Sequence, residues 1–180
     1  MMMKVDILLV DNHPDDVRWV RELLSEACQI EGHLRYAANL EEGLKIIEND
    51  RTDIALLDIG VFMENHTNMT EKMQRLPVNL PTIILTGPDY ENQASALLHK
   101  GAMDYLVKDQ LTVALLQKSI RYSVEKQKAW EAMNHAEEDK LQESQATRLS
   151  EDRYRQMFEH VPIGIYISRP DGMIVDANPA

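Results

Sequence analysis

Cysteine is almost absent from this chain. Cys28 is the only one in 180 residues, so no disulfide can close within it, and the composition points to a reducing, cytoplasmic setting. In the apolar pattern around it, Cys28 reads as a small buried side chain. Long apolar runs are missing too. None approaches the length that crosses a bilayer, which argues against direct membrane contact. The opening Met1-Met2-Met3-Lys4 meets Asp6 almost at once and does not read as a signal peptide. Basic charge is scarce: 19 Lys and Arg stand against 30 Asp and Glu, a formal net charge of −11. The excess runs through both ends, with 20 acidic and 12 basic residues up to Glu125, and 10 and 7 beyond it. Such a balance disfavours nucleic acid and anionic membranes as partners. There is no internal repeat, low-complexity tract or glycine-rich phosphate loop. His13, His33, His66, His99 and His160 show no metal-ligand spacing.

Glycine and proline are both missing from Ala102 to Val161. A helix can therefore start near Gln110 and run far beyond a compact domain. Leu115, Leu116, Ile120 and Val124 suit packing of its first part. Further on, Trp130, Met133, Leu141 and Leu149 are sparse apolar points among Lys, Glu and Gln. The heptads are poor, so the pattern is equally that of a solvated linker and of a weakly paired homodimer contact.

What is present before that helix is an alternation of short apolar runs and amphipathic segments. Val5 to Val10 reads as a strand. Pro14 suits the first turn of a helix, where Asp15 and Asp16 meet the positive end of its dipole. Val17, Val20, Leu24 and Ala27 give that helix an apolar stripe to about Cys28, and Gly32 is expected to end it. His33 to Ala37 is a weaker strand. Asn39 stands three residues before Glu42, much like a capping box, and Leu40, Leu44 and Ile47 mark a second helix. Asp53 to Asp58 is a buried strand ending on a carboxylate. Thr67 to Leu76 reads as a short helix stopped by Pro77. Pro81 to Gly87 is a strand ending on a hydroxyl, Glu91 to Lys100 a helix closed by Gly101, and Met103 to Lys108 a strand ending on an amine. Five strands alternating with helices predict a parallel sheet covered on both faces.

In such sheets the carboxyl ends of neighbouring strands converge on one crevice. An Asp at a strand end also forms turns for purely local reasons. Here, however, four strand ends carry polar groups: Asp11-Asn12, Asp58, Thr86 and Lys108. Two carboxylates, a hydroxyl and an amine suit phosphoryl transfer. Asp11 and Asp58 could hold Mg²⁺, which takes one or two protein carboxylates besides water. Asp58 could accept the phosphoryl group as an acyl phosphate, with Lys108 and Thr86 on its oxygens.

These stretches resemble the receiver domain of two-component response regulators. The likeness is carried by Ile7 to Asp16, Asp53 to Asp58, Ile84 to Gly87 and Gly101 to Lys108, in the family's order and spacing. It implies a flavodoxin-like, doubly wound five-stranded parallel sheet of order 2-1-3-4-5 over residues 1–125. It also implies Asp58 as phosphoacceptor and Asp11 as the first member of an acidic pair that binds Mg²⁺. Gly60 matches the position whose carbonyl joins the metal, Thr86 the switch hydroxyl, Tyr105 the rotating aromatic and Lys108 the family's lysine. The implied partner is a histidine kinase or phosphotransfer protein. Three departures stand out. Asn12 replaces the second acid, Val61 to His66 lacks the family's Pro and Gly, and Asp109 replaces a proline after Lys108. They open a second reading, a degenerate receiver that binds partners without phosphorylation.

Residues 126–150 then read as a helical linker, and residues 151–180 resemble the start of a PAS sensor domain. The PAS likeness rests on Tyr154, Met157, Phe158 and Val161 as a helical apolar face. It rests also on a hairpin of Ile163 to Ile167 and Met173 to Ala177 around Pro170-Asp171-Gly172. The arrangement implies a fragment of a longer sensor protein such as a hybrid histidine kinase. No stand-alone enzyme is expected in this chain. His135 could be proposed as a phosphohistidine, but Ala136 to Asp139 lacks the proline of such helices and no ATP-binding segment follows.

Overall fold

The computed structural model describes residues 2–63, 69–160, 162–164, 166–177 and 179. The expectations at Glu64, Asn65, His66 and Thr67, at Val161 and Ile165, and at the side chains of Leu141, Tyr154 and Phe158 lie outside the described residues. The chain forms two compact units, Met1–Glu131 and Ala132–Ala180.

In the first unit, β1 (Met3–Val10), β2 (Ile30–Ala37), β3 (Ile54–Asp58), β4 (Thr82–Thr86) and β5 (Asp104–Val107) form one sheet in the order β2-β1-β3-β4-β5. Every pairing is parallel. This is the expected 2-1-3-4-5 order. The helices are α1 (Pro14–Ser25), α2 (Leu40–Asn49), α3 (Ile59–Met63), α4 (Met69–Gln74), α5 (Glu91–Leu98) and α6 (Val113–His160), of which the part up to Glu131 belongs to this unit.

The central strands are buried along their whole length because side chains alternate between two cores. Ile7, Leu9, Ile54, Leu56, Ile83 and Leu85 pack with Val20 of α1 and Leu116, Ile120 and Val124 of α6. Leu8, Val10, Ala55, Leu57 and Ile84 pack instead with Leu40, Phe62, Ala94 and Leu97. Each such side chain, fully buried, stabilises the fold by about 1.5–3 kcal/mol. Register then aligns the strand ends. Val10 pairs with Leu57, Asp58 with Leu85 and Thr86 with Val107, so the polar residues at the carboxyl ends lie along one edge.

Several boundaries differ from the sequence reading. Helix α1 ends at Ser25, and Gly32 does not terminate it but lies inside β2, opposite Val5. A Cβ at Gly32 would come within 3.0 Å of the Ile7 side chain, so glycine admits the close approach there. β2 is an edge strand with one partner, which is why its apolar alternation was weak. Cys28 falls in the turn between α1 and β2 and is exposed rather than buried. Helix α6 begins at Val113, where the Thr112 hydroxyl accepts the Leu115 N–H at 3.2 Å. The expected stop after α5 is present: Gly101 has φ +110, a left-handed conformation that glycine adopts without a Cβ penalty.

In the second unit, β6 (Tyr166–Ser168) and β7 (Ile174–Ala177) make an antiparallel hairpin, both strands exposed. Arg169 N–H donates to Met173 O and Gly172 N–H to Arg169 O, closing the turn. Along α6, Trp130, Met133 and Leu149 are exposed. Among the described residues no helix is long and apolar enough to cross a membrane.

The start of α2 tests the local reading. Asn39 Oδ1 accepts Glu42 N–H at 3.0 Å, and Glu42 Oε2 accepts Ala38 N–H at 3.0 Å. Asn39→Ala removes the first bond and should lower stability by about 1 kcal/mol in urea unfolding, with an unchanged m value.

Candidate functional site

The site is built at the carboxyl edge of the sheet. Asp11 follows β1 and its side chain is fully buried. Its backbone N–H donates to Ala37 O, which anchors it to β2. Its Oδ1 accepts His13 N–H at 2.8 Å, an Asx turn leading into α1. Asp58 is the last residue of β3, and α3 begins at the next residue. Its Oδ2 accepts Gly60 N–H at 2.7 Å. A Cβ on Gly60 would stand 2.6 Å from that oxygen, so only glycine lets the backbone come so near. The segment after Asp58 is held from below as well. Lys72 of α4 is buried and its Nζ donates to Val61 O at 2.8 Å and Phe62 O at 3.4 Å, closing the end of α3.

Lys108 opens the 3₁₀ turn after β5 and joins these parts. Its Nζ lies 2.6 Å from Asp58 Oδ1, 3.1 Å from Asp11 Oδ2 and 2.5 Å from Asp16 Oδ2. Three carboxylates therefore share one ammonium, leaving a formal charge of −2. Burial alone would lower the Lys108 pKa. Hydrogen bonds to Asp16 and Asp58, with the charges of Asp58 and Asp11, outweigh it and hold the ammonium above the ordinary lysine value. Asp11 is shifted upwards. Burial raises its carboxyl, the His13 N–H and the Lys108 charge pull it back, and the Asp58 charge raises it again.

The expected residues are only partly gathered. Asp11, Asp58 and Lys108 meet directly, and Gly60 joins through its N–H. Thr86 is buried at the end of β4, but its hydroxyl donates to Gly87 O at 3.0 Å. Tyr105 lies partly buried against the core beneath α5, and Asn12 is exposed beside Asp11. Two contributors were missed. Asp16 was read only as a partner of the helix dipole, although a residue in the first turn of the helix after β1 must lie above this edge. His13 was set aside for lack of ligand spacing, because spacing among histidines ignores carboxylates. Its Nδ1 is 3.4 Å from Asp11 Oδ1, and Asp11, His13 and Asp16 offer ligand atoms within 4.8 Å of one another.

The direction of the Asp11 shift carries a stability consequence. A carboxyl whose pKa is raised on folding favours the native state where it is protonated and opposes it where it is ionised, above the ordinary carboxylate range. At pH 7 the neutral near-isostere should relieve that strain. Asp11→Asn is expected to raise stability by about 0.5–2 kcal/mol in thermal or urea unfolding at pH 7, the gain shrinking as the pH falls towards 4.

Comparison with known proteins agrees with this geometry. The family model "Response regulator receiver domain" matches residues 7–121, and a PAS domain model matches residues 152–180. The chain is 29% identical over 103 residues to the nitrate/nitrite response regulator protein NarL of Escherichia coli, covering 57% of this chain and 47% of that protein. It is 33% identical over 107 residues to the response regulator MprA of Mycolicibacterium vanbaalenii, covering 59% and 45%. The chain thus spans about half the length of the curated relatives it matches. Among solved structures, a response regulator receiver domain protein from Clostridium thermocellum superposes with a TM-score of 0.58 at 21% identity, covering 70% of this chain and 98% of that one. NtrX from Brucella abortus gives 0.63 at 20% identity, covering 74% and 30%. These two likenesses are of fold. With its family model matched across all five strands of the sheet, the chain belongs to the response regulator receiver family.

Proposed function

We propose that residues 1–125 are the phosphoacceptor module of a two-component phosphorelay, with a histidine kinase or phosphotransfer protein as donor. The observation that carries the reading is the Asp58 carboxylate at the end of β3 with Lys108 Nζ 2.6 Å away. A carboxylate oxygen of Asp58 attacks the phosphorus of a phosphohistidine. The P–N bond breaks, its electron pair stays on the imidazole, and an acyl phosphate forms on Asp58. The Lys108 ammonium neutralises charge on the phosphoryl oxygens, so positioning and electrostatics do most of the chemistry.

The excess charge of −2 fits a divalent cation. Asp11 and Asp58 would hold Mg²⁺, with the Gly60 carbonyl and the Asn12 amide oxygen as further oxygen donors, the ligand type this ion prefers. When bound, Mg²⁺ supplies charge neutralisation at the phosphoryl oxygens. Phosphorylation would draw the Thr86 hydroxyl from Gly87 O towards the new oxygens, and Tyr105 would repack beside it. Helix α6 carries the change through residues 126–150 towards the PAS-like residues 151–180, and its exposed Trp130, Met133 and Leu149 would serve a homodimer contact. Asn12 in place of an acid supports one other reading, a module that binds partners without phosphorylation.

Acetyl phosphate with Mg²⁺, read by intact mass, separates the two. Wild type should gain one phosphoryl group and Asp58→Asn none. Labelling that persists in the variant would remove Asp58 from its role, and no labelling of wild type at saturating donor would favour the phosphorylation-independent module.

A further inference from the structure

We infer that Asp16 is a positioning residue of this pocket, holding the Lys108 ammonium in competition with Asp58 and supplying the negative charge that Asn12 leaves out. The inference rests on the phosphoacceptor reading of Asp58. An ammonium has three N–H donors. Here each has a carboxylate within reach, Asp16 at 2.5 Å, Asp58 at 2.6 Å and Asp11 at 3.1 Å. No donor is spare for a phosphoryl oxygen until one carboxylate lets go. The Asp11 side chain is 0% exposed and Asp58 7%, but Asp16 is 35% exposed. Asp16 alone can exchange the ammonium for water at little desolvation cost. It stands in the first turn of α1, opened by Pro14, so its backbone is fixed while its side chain faces the solvent margin.

Two opposite effects follow from one carboxylate. Its charge deepens the negative potential of the pocket and favours a divalent cation. Its grip on Lys108 opposes a phosphoryl group on Asp58. A residue that merely stabilised the fold would weaken both kinds of binding together. Asp16→Asn removes the charge at nearly constant shape. Because the pair is partly exposed, the expected changes are modest, about threefold to fivefold each.

The experiment uses the full chain and two probes, Mg²⁺ alone and beryllofluoride at saturating Mg²⁺, each titrated by calorimetry or by Trp19 fluorescence. Asp16→Asn should bind Mg²⁺ more weakly and beryllofluoride more tightly than wild type. Asp16→Ser, a second neutral side chain, should show the same split, and Asp16→Glu should return both affinities towards wild type. In a Lys108→Met background, Asp16→Asn should change beryllofluoride binding less than it does with Lys108 present, since only the through-space charge remains and there is no ammonium to release; an undiminished change there would overturn the competition for Lys108. Unchanged affinities in both neutral variants, or a loss of both together, would overturn the role of Asp16 while leaving Asp58 in place. A wild-type chain that shows no Mg²⁺-dependent beryllofluoride binding would instead overturn the phosphoacceptor reading, and this inference with it.

Discussion

One ammonium among three carboxylates is the constraint on which the rest of this structure depends. Lys108 reaches Asp11, Asp16 and Asp58 within 3.1 Å, from residues nearly a hundred positions apart in sequence. Without it the pocket would hold like charges in a poorly hydrated crevice; burial, and after it the Asp58 charge, push the Asp11 carboxyl upwards even with the lysine present. Charge clusters of this kind roughly break even against their own desolvation. The stability of the fold has to come from elsewhere. It comes from the two apolar cores, which bury both faces of β3 and β4 completely.

The same arithmetic explains the neighbours of Asp58. A carboxylate poised for chemistry needs partners that do not consume it. Gly60 offers a backbone N–H, a weak neutral donor that orients one oxygen, and the absence of a Cβ makes that approach sterically free. Lys72 of α4 donates to the carbonyls of Val61 and Phe62, which fixes the end of α3. Two lysines near one strand end, Lys72 buried and Lys108 partly so, thus have separate work. One faces the charge of the pocket and the other ties down the backbone that leaves it.

The architecture was legible because its signals are local and periodic. Apolar runs with no polar face mark strands covered on both sides, and their number and alternation with helices gave the parallel sheet. Asp11, Asp58 and Lys108 were legible for a related reason: each is the polar residue at which an apolar run stops. What escaped was whatever depends on where the chain goes next. Gly32 looked like a helix stop, yet glycine serves equally where an edge strand crosses a bulky Ile7. Cys28 continued an apolar period that the backbone abandons at Ser25. Asp16 belongs to a helix, so its polarity carried no message about the sheet edge above which that helix begins. Thr86 was expected to face the site, and its hydroxyl donates instead to the next carbonyl, a local bond that an apolar run ending on a threonine does not announce.

Asn12 and Asp16 show how far a position-by-position reading can mislead. Asn12 removes a negative charge from a place where the family usually has one, which by itself suggests a weakened pocket. Four residues later the helix returns a carboxylate to the pocket, because the first turn of α1 follows directly on the end of β1 and Lys108 reaches its Asp16 at 2.5 Å. Counted by sequence position the pocket has lost an acid. Counted by atoms within reach of Lys108 it holds three carboxylates. Electrostatic potential depends on distance and burial and is indifferent to which residue number provides the charge. The relocated carboxylate is not equivalent to the lost one, however. Its side chain is more exposed than Asp11 or Asp58 and it bonds the lysine directly, so the charge comes back on a movable arm tied to the very group that a phosphoryl oxygen would need.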